Sequence, residues 1–187
     1  MAVYTKINQK EIDIINENFS IGKIKSFKGI KQGIENTNYL LKSKKKKYIL
    51  TIFEKRVLQK EIPFFMKLMD NLNNSKINCP KPLKTRNNKY LIKLKNKTAC
   101  IVSFLEGKDK KILNINDCYT VGKTIARMHV VTNTMKLNRK NSMGIKNLKP
   151  LLESIKFKSK KFSNLKVFLN NNLCLLYTSD AADDETS

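Results

Sequence analysis

The sequence predicts an α+β chain whose strands are segregated from its helices. Three observations predict it. The apolar pattern reads helix, three strands, helix, two strands and then helices, without the strand–helix–strand alternation of a doubly wound parallel sheet. The 187 residues are 41% hydrophobic, enough to bury a core in one ordinary domain or two small lobes. No stretch approaches the ~18 consecutive apolar residues of a membrane span, and MAVYTKINQKEIDII puts charges where a secretion signal needs an apolar run. A cytoplasmic chain with no membrane partner is expected.

The elements follow in order. Asn8 with Glu11 three residues on has the form of a capping box, and Ile12, Ile15 and Phe19 recur on one helical face, predicting a short helix ending near Gly22. Ile24–Gly29 reads as a strand, and Gly29 and Gly33 bracket a tight connection. Asn38–Ser43 and Tyr48–Phe53 read as two strands joined by a Lys44–Lys47 turn. The second, YILTIF, is apolar and β-branched enough to be central. Pro63 suits the first turn of a helix, with Phe65, Leu68, Met69 and Leu72 at helical spacing. Cys79-Pro80-Lys81-Pro82 must be extended, because each proline restricts the residue before it. Strands are predicted over Lys89–Leu94 and Thr98–Phe104, and Gly107 ends the run. From about Asn116 a longer helix places Cys118, Val121, Ile125 and Met128 on one face.

Composition narrows the function classes. Cys79, Cys100, Cys118 and Cys174 are scattered without a C-x-x-C pair, and His129 is the single histidine. That suits neither a zinc ribbon nor a disulfide framework nor a transition-metal site. The net charge of +23 raises nucleic acid as a partner, but 34 Lys stand against 4 Arg, beside 22 Asn and 19 Ile. Arginine is the preferred side chain for bidentate phosphate and base contacts. Phe53, Phe64, Phe65 and Phe104 lie in apolar runs that read as core, not as stacking platforms. The charge therefore reads as a solvated surface, with no nucleic acid expected; a basic nucleic-acid-binding module is the alternative from a different class.

The tail stands apart. Lysine does not occur after Lys166, and CLLYTSDAADDETS is acidic. Asp180, Asp183 and Asp184 have the oxygen chemistry of magnesium ligands, but no motif surrounds them and they read as a solvated terminus. The run Cys174–Asp184 resembles the translation of a transposase adapter used in sequencing libraries, so residues 174–187 are expected to be a non-native tail.

Eight strings, in order over about residues 1–153, carry a resemblance: MAVYTK, SFKGIKQGIENTNYLL, YILTIFEKRV, EIPFFMKLMDNL, CPKPL, IVSFLEG, VGKTIARMH and NRKNSMGIKNLKPLL. Together they resemble the homoserine kinases of the aminoglycoside phosphotransferase (kinase-like) superfamily, as a C-terminally truncated fragment. The resemblance implies a protein-kinase-like fold, with a five-stranded antiparallel N-lobe, a crossing helix and the first helices of an incomplete helical C-lobe. Residues 1–103 would be the nucleotide-binding lobe and 104–173 the hinge and truncated start of the second lobe. It implies ATP and L-homoserine as substrates, with Mg²⁺, and phosphorylation of the homoserine hydroxyl on the way to threonine. A kinase of the same superfamily acting on choline, methylthioribose or an aminoglycoside is the nearest alternative.

The resemblance also implies site residues. Gly33, Ile34, Glu35, Asn36, Thr37 and Asn38 would fold backbone and small polar groups over the ATP phosphates, where close approach to an anion favours exposed N–H groups; the plain alternative is a hairpin turn rich in Asn and Gly. Relatives place a phosphate-binding lysine where this chain has Thr51, so Lys55, with Arg56 beside it, is the substitute. Phe65 falls where a partner glutamate is expected, and Glu61 is the nearest carboxylate upstream. The backbone of Ser103, Phe104 and Leu105 would hold the adenine. Gly122, Ala126 and His129 match a G-x-x-x-A-x-x-H helix, with close packing at the small residues and a structural hydrogen bond in the core for His129. Asn138–Gly144 matches a region near the acceptor substrate, or is a polar loop. The catalytic base and metal ligands belong to an H-x-D-x-x-x-x-N loop and a later aspartate. His129 is followed by Val130 and Val131, so no H-x-D occurs. No catalytic or metal residue is expected in this chain, and it is expected to be inactive by itself.

Overall fold

β1 (Ile24–Gly29), β2 (Thr37–Ser43), β3 (Lys47–Ile52), β4 (Leu91–Leu94) and β5 (Lys97–Ser103) form one antiparallel sheet in the order β1-β2-β3-β5-β4. The YILTIF segment is central, as its composition predicts. The computed structural model describes residues 3–54 and 58–139, together with 150, 153, 154, 164, 167 and 168. Two compact units divide the chain, Met1–Leu137 and Asn138–Ser187, and all the named elements lie in the first. Lys55, Arg56, most of the Asn138–Gly144 motif and the acidic tail fall outside the described residues.

Alternation along the strands gives the sheet two apolar faces. On one, Tyr39, Leu41, Leu50, Ile52, Ala99 and Ile101 are buried against Ile12, Ile15 and Phe19 of α1 (Gln9–Asn18) and its C-cap. On the other, Ile49, Phe53, Cys100 and Val102 pack with Ile62, Phe65, Met66 and Met69 of α2 (Ile62–Asn74). Burying a side chain such as Leu50 or Ile101 stabilises by about 1.5–3 kcal/mol. Those central pairs hold the sheet together.

Local chemistry sets the element ends. The capping box of α1 forms as predicted: Lys10 N–H donates to Asn8 Oδ1 at 2.9 Å and Asn8 N–H to Glu11 Oε2 at 2.8 Å. Helix α2 is entered through a 3-10 turn at Gln59–Glu61, with Pro63 in its first turn. The predicted strand from Lys89 begins only at Leu91, because Thr85 N–H donates to Lys89 O at 2.7 Å and closes a turn through the left-handed Asn88. Pro82 bridges to Val102, so the proline-restricted segment is extended and continues the sheet edge beyond β4. Lys95 and Asn96, both left-handed at φ 47° and 62°, form the two-residue turn between β4 and β5.

Helix α3 (Ile115–Asn133) has its own capping box, Asn114 with Asp117. It contains no buried residue. This corrects the expected roles of Gly122 and His129. His129 is exposed rather than bonded in a core, and a Cβ at Gly122 would meet nothing within 4 Å. A small residue permits close packing only where a second element arrives. Arg127 Nη2 donates to Ser75 O at 3.2 Å, tying α3 to the end of α2, but the apolar Val121 and Ile125 stay in solvent.

Candidate functional site

The β1–β2 connection is built from residues that leave backbone exposed. Gly33 has φ +101°, a conformation that favours glycine, and residues 31–35 are exposed. Asn36 Oδ1 accepts the Glu54 N–H at 3.3 Å. Thr37 is fully buried on the α1 side, and its Oγ1 accepts Tyr4 N–H and Thr5 N–H at 3.0 and 3.1 Å while donating to Glu54 Oε1 at 2.7 Å. That hydroxyl is fully committed inside the protein. Asn38 points its alternation to the α2 side, where its Oδ1 accepts the Thr51 hydroxyl at 2.8 Å.

Thr51 therefore supplies a short polar bridge on the α2 face and no cation. Lys93 of β4 carries a charge on this face, donating to Thr98 Oγ1 at 2.9 Å and Gln59 Oε1 at 3.3 Å. Sequence reasoning did not single it out, since nothing distinguishes one lysine among 34. Cys100 is buried here, and burial pushes its thiol up to about 12, so it is a protonated core side chain and no nucleophile. Glu61 stands at the N-cap position of α2 without a side-chain capping hydrogen bond, and Phe65 packs edge-on to Phe64 with ring centroids 5.4 Å apart.

A second cluster escaped the sequence reading. Glu54 Oε1 accepts the Thr5 hydroxyl at 2.6 Å as well as that of Thr37, and Lys97 Nζ donates to Thr5 Oγ1 at 2.7 Å and closes an ion pair with Glu54. Burial raises the Glu54 pKa, but the hydrogen bonds from Lys97, Thr5 and Thr37 and the Lys97 charge outweigh it, leaving the carboxyl below its ordinary 4.5. This carboxylate is a structural hub.

At the other end of the sheet, Ser103 N–H donates to Lys81 O at 2.9 Å and Phe104 N–H to Lys47 O at 3.3 Å. Two of the three predicted hinge N–H groups are thus spent on the sheet. The first N–H beyond it without a hydrogen bond among the described residues is that of Leu105, half-exposed at 40%. Lys47 also pairs with Glu106 at 2.7 Å and lies 5.2 Å from the Phe104 ring centroid. The concavity of about 710 Å³ at this end is lined by the predicted hinge residues Ser103 and Phe104 together with Ile21, Tyr48, Leu83 and the Lys44–Lys47 hairpin. Ile21, Tyr48 and Leu83 belong to the α1 side, so the concavity is separate from the surface of Asn38 and Thr51. No group of three or more His, Cys, Asp or Glu side chains able to hold a metal occurs among the described residues.

The model of the phosphotransferase enzyme family matches residues 26–165, three-quarters of the chain. The chain belongs to that family. It is 40% identical over 156 residues to a homoserine kinase of Paramagnetospirillum magneticum and 38% identical over 154 residues to one of Parvibaculum lavamentivorans. These alignments cover 83% and 82% of this chain and 48% of each relative, so the chain spans about half the length of the curated relatives it matches. Among solved structures, an amicoumacin kinase in complex with AMP-PNP, Ca²⁺ and Ami superposes with TM-score 0.67 at 17% identity, covering 90% of this chain and 54% of that one. A spectinomycin phosphotransferase in complex with ADP and spectinomycin gives 0.58 at 16% identity, covering 93% and 56%. The fold of this phosphotransferase-family chain is therefore kinase-like, as the antiparallel sheet and crossing helix predicted. The family match starts inside β1, leaving α1 and the Val3–Thr5 segment before it.

Proposed function

We propose that the chain is the nucleotide-binding part of a homoserine kinase, which transfers the γ-phosphoryl group of ATP to the side-chain hydroxyl of L-homoserine and releases ADP and O-phosphohomoserine, toward threonine. The 35–40% identity to homoserine kinases across more than four-fifths of the chain carries this reading. Phosphoryl transfer depends mainly on positioning and charge neutralisation, and the residues on this chain fit the first of these. The connection Gly33–Asn38 would lay backbone N–H groups over the phosphates, with Gly33 keeping the approach open and the buried Thr37 anchoring the end of the loop. Ser103–Leu105 would form the hinge between a lobe of residues 1–103 and the second lobe, with Leu105 N–H as the free donor to adenine. Lys55 is the cation proposed for the phosphates and Glu61 its carboxylate partner.

The nucleotide complexes of the amicoumacin kinase and the spectinomycin phosphotransferase support ATP as the donor. Mg²⁺ would accompany it, but the described residues hold no ligand set for that ion, so no step is assigned to it. The sequence has no H-x-D string to supply the base, and the isolated chain is proposed to bind nucleotide without turning it over. No described helix is long and apolar enough to cross a membrane; the cytoplasm, where ATP is abundant, is the proposed location.

Titration of the chain with Mg·AMP-PNP should give saturable binding, while ATP, Mg²⁺ and homoserine together should give no ADP above background. Absence of saturable binding by the folded chain would sink the nucleotide reading. A chimera carrying residues 1–153 on the C-terminal half of the Paramagnetospirillum magneticum relative should release ADP only when homoserine is present.

A further inference from the structure

Val3, Tyr4 and Thr5 cross the base of the β1–β2 connection and hold it at three places. At the β1 end, Val3 Cγ2 lies 2.9 Å from where a Cβ on Gly29 would stand, so the strap lies directly on that glycine. In the middle, the Tyr4 hydroxyl donates to Ile34 O at 2.9 Å, thirty residues away. At the β2 end, Tyr4 and Thr5 N–H groups converge on Thr37 Oγ1. The strap is fixed in turn from below. Tyr39 OH donates to Thr5 O at 3.0 Å and accepts from Ile7 N–H at 3.2 Å, while Glu54 and Lys97 hold the Thr5 hydroxyl.

The connection has little else to define it. For residues 31–36, the only hydrogen bonds to other parts of the described structure are Tyr4 OH to Ile34 O and Glu54 N–H to Asn36 Oδ1. A glycine-containing exposed loop of this kind loses much conformational entropy on ordering. Whatever orders it in advance lowers the cost of closing it on a ligand.

We propose that Val3–Thr5 is a strap that pre-sets the β1–β2 connection for nucleotide phosphates, with Tyr4 as a positioning residue and Thr37 and Glu54 as its anchors. The inference rests on the nucleotide reading of the connection and adds to it residues that lie before the family-wide match. Tyr4 touches the loop carbonyl and takes no part in the chemistry. Its effect is on how tightly nucleotide is held.

Tyr4→Phe keeps the ring and removes the one hydroxyl that reaches Ile34. In the full chain, trypsin cleavage after Lys31, followed by mass spectrometry, reports opening of the connection. Cleavage after Lys95 in the β4–β5 turn reports the rest of the sheet. Tyr4→Phe should speed cleavage after Lys31 by about three- to tenfold, the range set by one hydrogen bond, leave cleavage after Lys95 unchanged, and weaken Mg·AMP-PNP binding by a similar factor. Tyr90→Phe, which removes a hydroxyl bonded to Asp70 at 2.7 Å on the α2 side, should change neither cleavage site nor affinity. Unchanged cleavage after Lys31, an equal rise at both sites, or faster cleavage with unaltered affinity would each overturn the strap. If the unsubstituted chain binds no nucleotide, the nucleotide reading falls, and the cleavage comparison still decides whether the strap orders the connection.

Discussion

Helices α1 and α3 were both read from apolar residues recurring on one helical face, α1 with a capping box in addition, and they have opposite fates. In α1, Ile12 and Ile15 are 1% and 0% exposed; in α3, Val121 and Ile125 are 55% and 48% exposed. Periodicity reports that a helix owns an apolar face. It does not report whether anything covers that face. The cap geometry is satisfied in both, which shows that the ends of a helix are decided locally and its burial is decided by the rest of the fold.

The contrast can be tested by stability measurements in denaturant. Leu50→Ala, in the α1-side core, should cost the most, about 2–5 kcal/mol, because it empties a fully buried site between central strands. Acidification should cost less. Glu54 has a folded-state pKa below its ordinary 4.5, so its contribution is fully present above that value and is lost as pH falls through the lower folded one. The melting temperature should drop on acidification below 4.5, and Glu54→Gln should flatten part of that dependence; an unchanged acid profile would show that the Thr5–Thr37–Lys97 cluster is not coupled to folding. Ile125→Ser should change stability by no more than about 0.5 kcal/mol, because its side chain is already in water. A loss near that of Leu50→Ala would mean that α3 is covered in solution and would erase the contrast.

Much of the fold was legible, for definite reasons. Apolar, β-branched runs bounded by turn residues marked the strands to within one or two residues, and the lysine and asparagine turns between them are chemically distinctive. The Asn8–Glu11 box was visible because both partners lie within four residues. The strand expected from Lys89 was overextended because the turn bond from Thr85 to Lys89 is invisible to a pattern search. The site was less legible. Gly33–Asn38 stood out through glycine and asparagine, but the sequence could not say that Thr37 turns its hydroxyl inward. The Thr5–Lys97 bond joins residues 92 apart, and a lysine in so basic a chain carries no label. The residues expected to form the hinge lie at and just beyond the end of β5, and which of their N–H groups remains available depends on the Lys47 and Lys81 carbonyls across the sheet.

The tight reversal at Lys95 and Asn96 acts as a gauge for everything after it. It fixes Leu94 opposite Lys97 and Ile92 opposite Ala99. Because neighbours along a strand face opposite ways, lengthening this reversal so that β5 shifted by a single position would carry the Lys97 ammonium away from Glu54 and exchange Ala99 and Ile101 for Thr98 and Cys100 beneath α1. Two residues in an uncommon backbone conformation thus set which chemistry meets the strap some ninety positions earlier in the chain.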